Sequence, residues 1–164
     1  MLANIESIIF KLTFFTFRYK RVIILFLKGE NMEFEKLYDL ALKTSTETLI
    51  SKDVEVGSVG CALVTDKGNV YVGKNLDMSC SLGMCAERNT IGTMLTHEVT
   101  KIDKIVCVHK SGKVILPCGA CREFMKQLED LTKETKILVS LNPLVYKTLD
   151  ELMNLWWRDS LKEN

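Results

Sequence analysis

A chain of 164 residues, 47% of them hydrophobic, is long enough for one domain with a buried core of ordinary size. A formal net charge of +1 gives no basis for a nucleic-acid groove or a strongly charged partner and is compatible with a small neutral substrate. Six cysteines in a chain of this length, with no small-residue signal-peptide cleavage site, read as reduced thiols in a cytosol rather than as a disulfide framework.

The segment from Ile8 to Leu27 is apolar and aromatic, but Lys11, Arg18, Lys20 and Arg21 interrupt it. No uncharged run approaches the ~20 residues that a spanning helix needs, so no membrane partner is expected. Three readings stay open for residues 1–31: a non-native or disordered extension, an amphipathic arm on a membrane surface, or an ordinary core element. The first is preferred. Lys28-Gly29-Glu30 can be encoded by AAAGGAGAA, which resembles a bacterial ribosome-binding site, just ahead of Asn31-Met32. Translation is then expected to begin at Met32, and residues 32–164 form the domain.

Phe34, Leu37, Leu40, Ala41 and Leu49 recur at helical spacing and predict a helix over 33–51, ended by Ser51-Lys52-Asp53. Val59 to Thr65 reads as a buried strand, Asp66-Lys67-Gly68-Asn69 as a hairpin turn, and Val70 to Gly73 as the returning strand. A loop from Asn75 to Met84 leads into a helix over Cys85 to Glu98. Lys104 to His109 is a β-branched run, and Ser111-Gly112-Lys113 is a turn. Pro117 precedes a helix over Cys118 to Glu129, a position where its missing N–H costs nothing. Lys136 to Leu141 is a further strand, broken by Asn142-Pro143. Thr148 to Trp157 reads as helical, with Asp150 and Glu151 in its first turn. This order predicts an α/β fold: a mixed sheet with an antiparallel first pair, parallel pairing at the later crossovers, and covering helices.

The chemistry concentrates in Cys85-Ala86-Glu87 and Pro117-Cys118-Gly119-Ala120-Cys121. Cys118 and Cys121, three residues apart, share one helical face, and both lie in a first helical turn, as Cys85 does in its own helix. Helix N-termini carry partial positive charge and lower thiol pKa values, which would favour three thiolates at neutral pH. Three thiolates hold a tetrahedral zinc ion and leave its fourth position open to water, whose pKa the metal lowers towards ~7. Glu87, two residues from a ligand, is placed to move protons rather than to bind metal. Zinc with three thiolates is net negative, and Arg88 or Arg122 would offset that charge from behind the sulfurs. Arg88, which directly follows the Cys-x-Glu unit, is the better candidate.

Other readings of the same residues stand beside this one. Cys118-Gly-Ala-Cys121 alone would suit a redox dithiol, although no Trp precedes the first cysteine and no Pro separates the two. Cys80 or Cys107 as a fourth ligand would make a closed structural zinc site. Cys61 and Cys107 sit in apolar strand runs and read as core residues, and Cys80 as loop or core. His97 and His109 read as surface or hydrogen-bonded groups. Glu87 in isolation would be an ordinary first-turn charge.

The stretches Val59-Gly60-Cys61-Ala62-Leu63, Gly73-Lys74-Asn75, Cys85-Ala86-Glu87-Arg88 and Pro117-Cys118-Gly119-Ala120-Cys121-Arg122 resemble the cytidine deaminase family, including its antibiotic-modifying relatives, the blasticidin S deaminases. The similarity runs over most of residues 33–157, and the last two motifs are the specific ones. The resemblance implies a single three-layer α/β/α domain with a mixed sheet of about five strands. Four strands are legible above, and the region from Leu141 to Tyr146 is the candidate fifth. It implies a zinc-dependent hydrolase of pyrimidine salvage in the cytoplasm, which converts cytidine or deoxycytidine to the uridine product and releases ammonia. It also implies a homo-oligomer, tetramer or dimer. Cys85, Cys118 and Cys121 would bind Zn2+, Glu87 would shuttle protons, Asn75, Asp77 and Ala86 would contact the nucleoside, and Arg88 would support the metal site. The chain departs from the nucleoside enzymes in four places. Asp77 stands where they carry a longer glutamate, and the loop from Asn75 to Cys85 is one residue shorter. Gly57 stands where they carry a stacking Phe. Trp156 or Trp157 is the candidate replacement for the Phe that a partner subunit contributes. Base stacking is worth ~1–3 kcal/mol, so these departures keep a modified cytosine nucleoside such as blasticidin S as the alternative substrate.

Overall fold

Strand residues alternate between the two faces of a sheet, and this period sorts the core. On β2 (Val54–Thr65), Cys61 and Leu63 face one way and Ala62 and Val64 the other; on β4 (Ile102–His109), Ile105 and Cys107 oppose Val106 and Val108. The first face packs under α2 (Ala86–His97) and α3 (Gly119–Gln127) through Ala86, Ile91, Met94 and Met125. The second packs under α1 (Phe34–Thr44) through Phe34, Leu37 and Ala41. The result is three layers, helix–sheet–helix, as the resemblance implied. This computed structural model describes residues 32–161, so the extension expected over 1–31 lies outside them. Among the described residues, no helix is long and apolar enough to cross a membrane.

The sheet has six strands rather than about five. One edge of β2 carries β3 (Val70–Met78). The other edge is shared by β1 (Thr48–Ser51), along Val54–Val56, and by β4, along Val59–Thr65, all antiparallel. β5 (Lys136–Ser140) pairs parallel with β4, and β6 (Val145–Lys147) antiparallel with β5. β6 stands at the end of the region expected to supply a strand, Leu141 to Tyr146: it begins only at Val145 and runs on to Lys147, after a turn over 141–144. Of the expected crossovers, the one through α3 joins adjacent parallel strands; the one through α2 passes over β2, which lies between β3 and β4.

β1 is the strand the sequence reading placed inside a helix. The helix stops at Thr44 because three hydroxyls in a row turn back on it: Thr44 Oγ1 donates to the Leu40 carbonyl, Ser45 Oγ to Leu42 and Thr46 Oγ1 to Lys43. Beyond them, Thr48, Leu49 and Ser51 pair with β2, and Leu49 is 70% exposed, so it never belonged to the apolar stripe of α1. Strands β2 and β3 also run further than expected, from Val54 and to Met78. Leu76 and Met84 exchange backbone hydrogen bonds of 2.8 and 2.9 Å, which shortens the expected loop to a turn. The helix expected over Thr148–Trp157 survives as α4 (Leu149–Leu152), started by a Thr148–Glu151 capping box. A 3₁₀ turn over Trp157–Leu161 follows. The break lets both tryptophan indoles turn to Glu123, a tertiary tie that local propensity does not carry.

Two glycines let helices lie close on the sheet. A Cβ on Gly60 would stand 2.1 Å from the Ala41 carbonyl oxygen of α1, and one on Gly73 would stand 2.6 Å from Thr90 Oγ1 of α2. Gly60→Ala is therefore expected to destabilise the fold by about 1–3 kcal/mol or more, because the opposing atom is backbone and cannot rotate away. A lowered denaturation midpoint at unchanged slope would show it; an unchanged midpoint would mean that α1 does not seat there.

Candidate metal centre and active site

Cys85 and Cys118 are the N-cap residues of α2 and α3, each in an extended backbone conformation, and Cys121 lies one turn into α3. The two helix starts therefore converge through their caps. The Cys85 and Cys118 sulfurs are 3.5 Å apart and those of Cys118 and Cys121 3.6 Å. All three lie within 4.8 Å of one another. A tetrahedral zinc ion with Zn–S bonds of ≈ 2.3 Å needs sulfurs about 3.8 Å apart, so the donor set fits without rearrangement. Among the described residues, no fourth His, Cys, Asp or Glu joins this group. Cys80 is exposed in the turn after β3, and Cys107 is buried in the core, so neither completes a closed site.

The thiol acidities correct one expectation. Burial pushes the Cys118 thiol up, but the amides of Cys121 and Ala120 and the neighbouring thiols outweigh it, leaving Cys118 below the usual thiol range. Cys85 and Cys121 go the other way. Burial raises both, and the charge of Glu87 and the neighbouring sulfur add to the rise at Cys121. The helix ends alone thus lower one thiol of the three. A bound divalent cation would take the protons off all three, since a coordinating thiol is deprotonated outright.

Glu87 sits in the first turn of α2, 4% exposed, and outside the three-sulfur group. Burial raises its carboxyl above the ordinary range, partly offset by a backbone amide, by the Cys121 and Cys107 thiols, and by the charge of Arg88. Arg88 carries a buried Nε–H with no partner among the described residues. Arg122 is committed elsewhere: its Nε donates to the Pro117 carbonyl at 2.8 Å and its Nη1 to Leu152 at 3.1 Å. Arg88 is thus the guanidinium with a donor to spare.

The residues expected to meet a nucleoside are brought to the same end of the sheet. The Leu76–Met84 bridge sets Asn75 opposite Cys85 in the next register position. Asn75 is tightly held. Its Oδ1 accepts from the Val59 amide at 2.8 Å, and its Nδ2 donates to Ser58 Oγ at 2.9 Å and Asp77 Oδ2 at 2.7 Å. Asp77 is the exposed tip of this cluster. Ala86 is buried, and its carbonyl accepts from Thr90 Oγ1 at 2.7 Å. His97 and His109 are hydrogen-bonded to Thr93 and Ser111, as expected of non-ligands. Two roles were not visible in the sequence. Glu123 accepts from the Trp156 indole at 2.8 Å and from the Trp157 indole at 3.0 Å, while the Arg158 guanidinium lies 5.3 and 5.6 Å from the two rings. Cys107 faces α2 from β4, in the core cluster that also holds Ala86, the residue before Glu87. Only the alternation that turns Cys61 and Cys107 towards α2 hinted at the second.

Comparison with known proteins agrees with this geometry. The family model of the cytidine and deoxycytidylate deaminase zinc-binding region matches residues 32–137, a span that holds all three cysteines and Glu87. A blasticidin-S deaminase from Bacillus cereus is 27% identical over 139 residues, covering 79% of this chain and 96% of its own length. A cytidine deaminase from Mycobacterium tuberculosis is 32% identical over 69 residues; the match covers 42% of this chain and spans about half of that relative, 52%. The crystal structure of cytidine deaminase from M. tuberculosis shares the fold, with a TM-score of 0.63 at 24% identity over 77% of this chain and 98% of that one. With three converging thiols, a buried carboxylate beside them and a family match across both motifs, the chain belongs to the cytidine and deoxycytidylate deaminase zinc-binding family.

Proposed function

We propose that residues 32–164 form the catalytic domain of a zinc-dependent hydrolase that deaminates a cytosine nucleoside, cytidine or deoxycytidine, to the uridine product and ammonia. The observation that carries this reading is a three-sulfur group that no fourth protein ligand joins among the described residues, with a buried carboxylate, Glu87, two residues from Cys85. Cys85, Cys118 and Cys121 hold the metal, which, when bound, supplies the Lewis acidity that makes water a nucleophile at neutral pH. Glu87 takes one proton from the attacking water as the C–O bond forms and passes it to the adjacent ring nitrogen, then takes the remaining hydroxyl proton and passes it to the amine as the C–N bond breaks and ammonia leaves. Its burial suits this exchange: a carboxyl raised above its ordinary range is a stronger base than a solvent-exposed one. Arg88 offsets the negative charge of the thiolates. Asn75 and Asp77 form a polar rim for the sugar, and Ala86, at the start of α2, backs the base.

A modified cytosine nucleoside such as blasticidin S is the second reading, and two observations favour it. The Bacillus cereus blasticidin-S deaminase aligns over nearly its whole length. Both Nδ2 hydrogens of Asn75 are spent inside the protein, which leaves the shorter Asp77 to meet the sugar. In either case the protein acts in the cytoplasm as a homo-oligomer, tetramer or dimer, a state favoured by the exposed Leu155 and Trp157 near its C-terminal end. For cytidine, the cellular role is pyrimidine salvage. An absorbance and ammonia-release assay with cytidine, deoxycytidine, their monophosphates and blasticidin S separates the readings. Turnover of cytidine or deoxycytidine supports the first and turnover of blasticidin S alone the second; no ammonia from any of them overturns both.

A further inference from the structure

On β3, Asn75 stands alone between Lys74 and Leu76, but the facing stretch of β2 carries Gly57, Ser58 and Val59 between Val56 and Gly60. Such a bulge re-aims a side chain. Gly57 makes it possible: its φ is +86°, and a Cβ there would stand 2.1 Å from the Thr46 carbonyl oxygen. The bulge is pinned from the end of β4, where the Lys110 amide donates to the Ser58 carbonyl at 2.9 Å. Val59 thus presents its N–H, and Ser58 its hydroxyl, to the same side chain, Asn75. Asn75 in turn lies one register position from the Leu76–Met84 bridge, opposite the metal-site residue Cys85.

A backbone N–H can only donate, so the Asn75 atom 2.8 Å from the Val59 nitrogen is the oxygen, and the amide nitrogen points the other way. Its two hydrogens go to Ser58 Oγ at 2.9 Å and to Asp77 Oδ2 at 2.7 Å. Ser58 Oγ closes the ring with a longer bond of 3.4 Å to the same carboxylate oxygen. Every side-chain donor in the ring is spent within it. The second oxygen of Asp77, Oδ1, takes no part in the ring, and Asp77 is exposed. No ion pair holds Asp77 among the described residues, and across the strand pair it faces Glu55, a like charge. Two neutral donors, from Asn75 and Ser58, therefore fix its carboxylate.

We propose that Ser58 is a positioning residue on the sugar side of the site: it takes one amide hydrogen of Asn75, gives its own to Asp77, and so makes Asn75 an inward strut and leaves Asp77 Oδ1 as the one acceptor offered to a substrate hydroxyl. The proposal rests on the deaminase reading for cytidine or deoxycytidine. A hydrogen bond to a charged group is worth on the order of 10- to 100-fold. The parent should therefore deaminate cytidine better than 2′,3′-dideoxycytidine, which lacks both ring hydroxyls, by about that factor in kcat/KM. Asp77→Ala should bring the ratio near one. Ser58→Ala should cut it by about 3- to 10-fold, through a higher KM for cytidine at a kcat near the parent's. Ser58→Thr, which keeps the hydroxyl, should recover most of the ratio. A role confined to folding would lower both substrates alike and leave the ratio where it was.

A second readout does not depend on turnover. In nuclear magnetic resonance spectra, the two side-chain amide proton signals of Asn75 are assigned through their contacts with neighbouring protons. In Ser58→Ala one of the two should move upfield and exchange faster with water, while the other, bonded to Asp77, holds its place. The positioning role is overturned if Ser58→Ala keeps the parent's ratio, if Thr restores it no better than Ala, or if both amide signals stay in place. It is also overturned if the parent takes 2′,3′-dideoxycytidine as readily as cytidine. Should the parent release no ammonia from cytidine or deoxycytidine, that reading falls and the specificity role of Ser58 falls with it; the amide signals still decide whether the ring exists.

Discussion

Glu87→Gln is expected to lower kcat by about 10²–10⁴-fold while the protein binds as much zinc as before, because a positioned proton carrier typically contributes that much. The amide keeps the size of the carboxylate and one acceptor oxygen but puts an NH2 donor in place of the other and cannot take up a proton. Zinc content should be insensitive to the change because Glu87 is not among the clustered ligands. Stability should move the other way from activity. Burial raises the folded-state pKa of Glu87, so ionising it works against folding. The contribution of this group is fully present below the unfolded pKa and is lost as pH rises through the higher folded value. A neutral amide removes that cost, so at neutral pH without metal the Gln variant should melt no lower than the parent. Kinetics at matched zinc occupancy, together with thermal melts, check both halves. Full turnover in the variant would take Glu87 out of the mechanism, and lost zinc would make it a ligand.

The three-thiol cluster was legible because local structure places its cysteines. Pro117 stands just ahead of a helix that Cys118 caps, Cys121 lies in its first turn, and Cys85 caps another; spacing alone brings each group to a helix end. The acid strengths were not legible, since they turn on burial that depends on the whole fold: the same helix ends that lower Cys118 leave Cys85 and Cys121 raised. The Asp66–Asn69 hairpin and the strands that flank it were readable from turn chemistry and alternation. β1 was not, because Leu49 falls by chance on the helical period of Phe34 and Leu37, while the hydroxyls that end the helix act through backbone contacts that a hydrophobic pattern ignores. The C-terminal region failed for a different reason. Glu123 holds two indoles across more than thirty residues of chain, and that long-range tie interrupts a segment whose composition alone suits a continuous helix.

Cys121→Ala is expected to abolish stable zinc binding, whereas Cys80→Ser should retain it. Residues that merely orient a ligand are worth about 10–100-fold in metal affinity, so loss of one of three sulfurs should exceed that range. Cys80, exposed on its turn and absent from the ligand group, should contribute nothing measurable. The fold should survive the loss. The metal would bridge the starts of α2 and α3, but both helices are also fixed by the core beneath them, through Ile91, Met94 and Met125, all fully buried. This differs from small zinc modules, in which metal binding and folding are one event. Chelation should therefore lower the melting temperature and remove turnover without loss of far-ultraviolet helix and strand signal. Metal stoichiometry by mass spectrometry gives the decisive contrast. Zinc retained by Cys121→Ala would break the three-sulfur assignment. Zinc lost from Cys80→Ser would mean a fourth protein ligand closes the site, and a closed site has no room for the water that hydrolysis consumes.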